Sequence, residues 1–128
     1  MKREKRLTRT EFEAMEAIWE KDGKMTANEI LENLPCEKEW RIQTLITLLK
    51  RIVDKGYLET EKRGRERLFY AVISRDDYLK IETKDFLTHY YNNSFQNLVS
   101  TLLDVESDET LEEILVLLEE WKRNGKHQ

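Results

Sequence analysis

A single cysteine, one proline and four glycines are all that 128 residues contain of the residue types that cross-link or interrupt a chain. The lone Cys36 has no partner for an internal disulfide and fits a reducing compartment. With only His89 and His127 beside it, spacing assembles no metal-ligand cluster, and neither metal nor cofactor is expected. So few glycines and prolines exclude collagen-like and low-complexity chains and disfavour a many-turned β-sandwich, which leaves a helix-rich fold. No apolar run approaches the roughly 20 residues of a membrane span, so no membrane insertion is expected. The basic start, residues 1–6, leads into an amphipathic stretch around Phe12 and not into an apolar core, which argues against a secretory leader and for a cytoplasmic protein. Also missing are a nucleophile–base pair, a carboxylate dyad and a glycine-rich phosphate loop, so an enzyme is not expected.

Charge is what the chain has in abundance, at 38% of residues, with a net value of −4. Its distribution is uneven. Residues 1–75 hold 17 Lys and Arg against 14 Asp and Glu, whereas residues 76–128 hold 5 against 12. A basic first part and an acidic second part suggest two tasks, although charge runs also serve as plain solvated surface. The division expected is residues 1–75 as one domain and residues 76–128 as another.

Local patterns fill in the first part. Thr8 and Glu11 have the spacing of a capping box, and Phe12, Met15, Ile18 and Trp19 follow on one helical face, so a helix is expected over residues 9–21. Gly23 is its expected left-handed terminator. Thr26 and Glu29 repeat the box before Ile30, Leu31 and Leu34, with Pro35 as the stop of a short second helix. A third helix is expected over residues 41–55, ended by Gly56, with Leu45, Leu48, Leu49, Ile52 and Val53 on its inner side. Two β-prone runs, residues 57–62 and 67–73, flank Arg63-Gly64-Arg65 and read as a hairpin with glycine at its tip. Three helices and a hairpin, in that order, make a winged helix-turn-helix with a two-stranded wing. The fold class expected is mainly α, completed by a C-terminal helical dimerisation segment.

The outward side of the third helix suits the reading of double-stranded DNA. Gln43 can pair bidentately with adenine, Thr44 and Thr47 offer hydroxyls and methyls, and Lys50 and Arg51 suit guanine or phosphate. Ile46 has two readings, contact with a thymine methyl or packing against the second helix. Lys62, Arg63, Arg65 and Arg67 make the hairpin a cationic finger able to follow a phosphate backbone, and charge for solubility is the plainer reading of that hairpin taken alone. Lys2, Arg3, Lys5 and Arg6 read either as further phosphate contacts or as a solvated tail.

In the second part, helices are expected over residues 76–91, 95–103 and 108–122. Phe86, Tyr90, Phe95, Leu98, Val99, Leu102, Leu111, Ile114, Leu115, Leu118 and Trp121 are too many apolar residues for short helices to bury alone. A second copy of the chain would cover all of them but Trp121 in the expected interface, giving a homodimer; folding back on the winged part is the alternative.

Trp40-x-x-x-Thr44-Leu45-x-Thr47-Leu48-Leu49-x-Arg51-Ile52-x-x-Lys55-Gly56-Tyr57-Leu58 resembles the recognition helix of the BlaI/MecI/CopY penicillinase-repressor family. Leu7-Thr8-x-x-Glu11-Phe12-x-x-Met15-x-x-Ile18-Trp19, Thr26-Ala27-x-Glu29-Ile30 and Phe95-x-x-Leu98-Val99 are similar to the same family. The resemblance implies a homodimeric repressor on a palindromic operator of resistance or metal-homeostasis genes, and the function expected is repression of resistance or stress genes. It also implies a membrane sensor-protease as partner in some members, with cleavage between Asn and Phe; Thr101 and Leu102 stand at those positions here, which argues against the same cleavage specificity. Copper-responsive members carry a C-terminal cysteine cluster that this tail lacks, and a basic residue often stands where Ile46 does. The reading from another class is a winged-helix protein-interaction module without affinity for DNA.

Overall fold

The computed structural model of the chain describes residues 6–35 and 39–125; Lys2, Arg3, Lys5, Cys36 and His127 lie outside them. Thr8 starts α1 (Arg9–Lys21) with a complete capping box, its hydroxyl accepting from the Glu11 N–H while the Glu11 carboxylate accepts from its own. The helix closes on Asp22, at φ 53°, and not on Gly23 as the sequence suggested. Asp tolerates the left-handed region because its short polar side chain can bond locally, and its N–H completes the bond to the Ile18 carbonyl.

A two-residue strand, β1 (Met25–Thr26), leads into α2 (Ala27–Glu32), where Thr26 and Glu29 form the second capping box. This helix stops before Pro35 is reached. Asn33 leaves helical geometry, and its side-chain amide donates to the Glu29 carbonyl at 2.8 Å. The longest helix of the three, α3 (Ile42–Lys55), begins at Arg41 without a side-chain cap and ends on Gly56 at φ 94°. Strands β2 (Leu58–Arg63) and β3 (Glu66–Ala71) pair antiparallel from Leu58↔Ala71 to Arg63↔Glu66. Only Gly64 and Arg65 remain in the loop. Gly64 takes φ 62° and Arg65 does not, the pattern of a tight hairpin with glycine first. β1 adds to the other edge of β3 through Met25↔Phe69, extending the expected two-stranded wing to a three-stranded sheet in the order β1-β3-β2.

The core of this first unit is drawn from every element. Met15, Ile18, Ile30, Leu45, Leu49, Ile52 and Leu58 are fully buried, and Tyr57, Phe69 and Tyr78 join them. Tyr78 belongs to α4 (Arg75–Tyr91), whose start is capped by the Ser74 hydroxyl accepting from Asp77 N–H. Its ring packs among Phe12, Trp19 and Tyr57 at centroid distances of 5.4 to 6.0 Å, and its hydroxyl accepts from the Leu7 N–H. Trp19 Nε1–H donates to the Ile73 carbonyl nearby. These long-range contacts carry the compact unit to Asp85, further along the chain than residue 75.

The second unit begins at Phe86. Asn92 and Asn93, both at positive φ, turn the chain out of α4, and Ser94 caps α5 (Phe95–Val105). Ser107 caps α6 (Asp108–Arg123). Neither α5 nor α6 contains a buried residue. Among the described residues no helix is long and apolar enough to cross a membrane.

Candidate nucleic-acid interface

Burial of Leu45, Leu48, Leu49 and Ile52 fixes which way α3 faces. The 100° advance per residue then turns Gln43, Thr44, Thr47, Lys50 and Arg51 to solvent, and all five are exposed. Lys50 and Arg51 have no ion-pair partner among the described residues. The Thr47 hydroxyl already donates to the Gln43 carbonyl at 3.1 Å, so what Thr47 presents outward is chiefly its methyl group.

Two clefts flank this face. One, of about 750 Å³, lies between α3 and the wing: Ile46 and Lys50 meet Arg65, Arg67 and Phe69 there, with Ala27 from the start of α2. Ile46 is half-buried and lines this cleft beside the start of α2, the neighbour expected by one of its two readings, with the cationic wing on the other side. The other, of about 380 Å³, lies toward α1 and gathers Thr8, Thr10, Trp40, Thr44, Thr47 and Arg51. The Trp40 Nε1–H is buried and has no acceptor among the described residues. Gln43, Lys62 and Arg63 line neither cleft. The sequence marks Thr8 only as a helix cap and does not mark Thr10, because only tertiary packing carries the start of α1 to α3.

The wing concentrates positive charge. Lys62 stands directly opposite Arg67 in the ladder, and like charges so placed repel. Arg67 is steadied by a bond to the Thr60 hydroxyl at 2.9 Å. Lys62, Arg63, Arg65 and Arg67 are all exposed. Repulsion within such a hairpin is relieved when a polyanion lies against it.

Beneath the site, a partly buried ion pair ties the end of α3 to the start of α1. Lys55 Nζ lies 2.6 Å from Glu11 Oε1 and donates to the Arg6 carbonyl at 3.0 Å. Burial alone pushes the Glu11 carboxyl up; the bonds from Lys55 and Thr8 outweigh it and hold the group below the ordinary glutamate range. Arg6 itself pairs with Glu82 of α4.

In the second unit the expected interface residues divide. Leu98, Val99, Leu111 and Ile114 are half-buried within the unit, whereas Phe86, Tyr90, Phe95, Leu102, Leu115 and Leu118 are exposed. Leu103, Val105, Val116, Leu117 and Trp121 are exposed with them and extend the apolar surface past the expected interface. The run Ile114–Leu118 goes right round the helix, so periodicity alone could not show how far the apolar surface reaches. Thr101 and Leu102 lie within α5, where the Thr101 hydroxyl donates to the Asn97 carbonyl.

A family model described as penicillinase repressor matches residues 7–122. The chain is 30% identical to the penicillinase repressor of Bacillus licheniformis over 98% of its own length and 99% of that protein's. It is 28% identical to the methicillin resistance regulatory protein MecI of Staphylococcus aureus strain N315, over 88% of this chain and 92% of that one. Among solved structures it is similar to the DNA binding domain of the repressor BlaI, with a TM-score of 0.51 and 31% identity, covering 61% of this chain and 94% of that domain.

Proposed function

The chain belongs to the penicillinase repressor family, and from that membership we propose that it is a DNA-binding transcriptional repressor acting as a homodimer on a palindromic operator, among genes of resistance or stress response. One observation carries the DNA-binding part: the polar and cationic side of α3 is wholly exposed beside a wing with four exposed cations. Gln43, Thr44, Ile46, Thr47, Lys50 and Arg51 supply base and backbone contacts, and Lys62, Arg63, Arg65 and Arg67 follow phosphates. The homodimer is supported by the unburied apolar residues of α5 and α6, among them Phe95 at 66% and Leu115 at 58% exposure. Clusters of exposed apolar residues in a protein of this size mark an interaction surface. A sensor-protease acting at Thr101–Leu102 would need a specificity other than Asn–Phe, and it would need α5 to unwind locally, since the bond lies inside an intact helix.

Titration of the protein with duplex DNA across salt concentrations tests the reading. Log affinity is expected to fall linearly with log salt, by about 0.9 for each phosphate neutralised. A flat dependence would favour a protein-interaction module.

A further inference from the structure

A helix lying in a major groove has a phosphodiester strand on each side, because both backbones bound a groove only about 12 Å wide. On one side of α3 stands the wing. On the other stands the cleft shared with α1, and its lining is chemically unlike that of two further clefts. The cleft by Trp19 carries Glu16, Glu20 and Asp22, and the wing-side cleft mixes Lys50, Arg65 and Arg67 with Asp54 and Glu66. Among the described residues the α1-side cleft has one cation, Arg51, several threonine hydroxyls and no carboxylate. Its donors are largely uncommitted. Arg51 has no ion pair, and the hydroxyls of Thr10 and Thr44 no hydrogen bond, among the described residues. One guanidinium with neutral donors around it matches a phosphodiester, which brings one negative charge and two unshared accepting oxygens.

We propose that this cleft is a second backbone site, in which Arg51 and the hydroxyls of Thr10 and Thr44 hold one phosphate of the strand that the wing does not follow. The proposal rests on α3 being the DNA-reading helix. It makes Arg51 a register-setting residue and not a reader of bases, and it brings α1 into the interface. With both backbones gripped, α3 is fixed in depth and in rotation within the groove.

Neutral methylphosphonates, placed one at a time in a bound duplex, test this on the full-length protein. The unsubstituted protein should lose about tenfold in affinity at one phosphate per half-site on the strand away from the wing. Arg51→Gln should lose about as much on unmodified DNA, shed about 0.9 from its salt slope, keep its base preference and no longer sense that methylphosphonate. Thr10→Val should weaken binding without changing the slope. A new base preference in Arg51→Gln, or an unchanged response to every methylphosphonate, would overturn the assignment. Because both residues are exposed, folding is not at stake. If the wing-side phosphates respond and these do not, only this cleft assignment falls; if no phosphate matters, DNA binding itself falls with it.

Discussion

Glu11 is 1% exposed and charged, and what makes that tolerable is a set of donors arranged around one carboxylate. Lys55 and the Thr8 N–H both reach Oε1, so the residue that caps α1 also anchors the last turn of α3. Removing one partner strands the other. Lys55→Met is expected to cost about 3 kcal/mol of stability, since a buried charge left unpaired is costly, and urea denaturation measures it. The pH dependence follows from the lowered Glu11 pKa. A carboxyl depressed on folding stabilises above its unfolded value and loses that contribution as pH falls through the folded one. Stability should therefore decline below about pH 4, and Glu11→Gln should flatten that decline; an acid limb unchanged in Glu11→Gln would contradict it. The capping box was legible at this position, because its spacing is local. The ion pair was not, because nothing in sequence joins residue 11 to residue 55.

At the level of elements, periodicity was a faithful guide wherever one face is buried. The spans of α1 and α3 and the positions of both wing strands follow from apolar residues recurring at 3.6 or 2. β1 gave no such signal, since two residues have no period and its existence depends on the remote edge of β3. Turn chemistry was legible only in part: Gly56 and Gly64 do take positive φ, but at the end of α1 the left-handed residue is Asp22. That difference can be measured. At Gly56 an added Cβ meets nothing within 4 Å, yet φ is 94°, so Gly56→Ala should lose about 1–2 kcal/mol from backbone strain alone. Gly23→Ala, whose Cβ would make only an ordinary 3.9 Å contact, should fall within about 0.5 kcal/mol of the parent; equal losses at both glycines in thermal denaturation would contradict the assignment. The wing offers a second test at this scale. Arg63→Ala and Arg65→Ala should each weaken every duplex alike and lower the salt slope by about one, and a shift in preferred bases would mean that the hairpin reads sequence.

Across the whole molecule, the acidic second part and the basic first part correspond to different surfaces, the one apolar and unburied in a single chain, the other cationic and open to a polyanion. The charge asymmetry was legible from composition. The extent of the first unit was not, because the burial of Tyr78 depends on Phe12, Trp19 and Tyr57, which are scattered along the chain. If two copies pair through α5 and α6, Leu115→Asp should produce a folded monomer by sedimentation. Its operator affinity should drop at least tenfold, since two linked half-sites gain effective concentration. A persistent dimer would move the interface elsewhere. Selection of bound duplexes from a random pool by the full-length protein is the most direct measurement of all. Two inverted half-sites separated by about a whole number of helical turns are expected, one for each copy of α3. Recovery of no enriched sequence, or of a lone half-site without its inverted repeat, would contradict a dimer that reads DNA through α3.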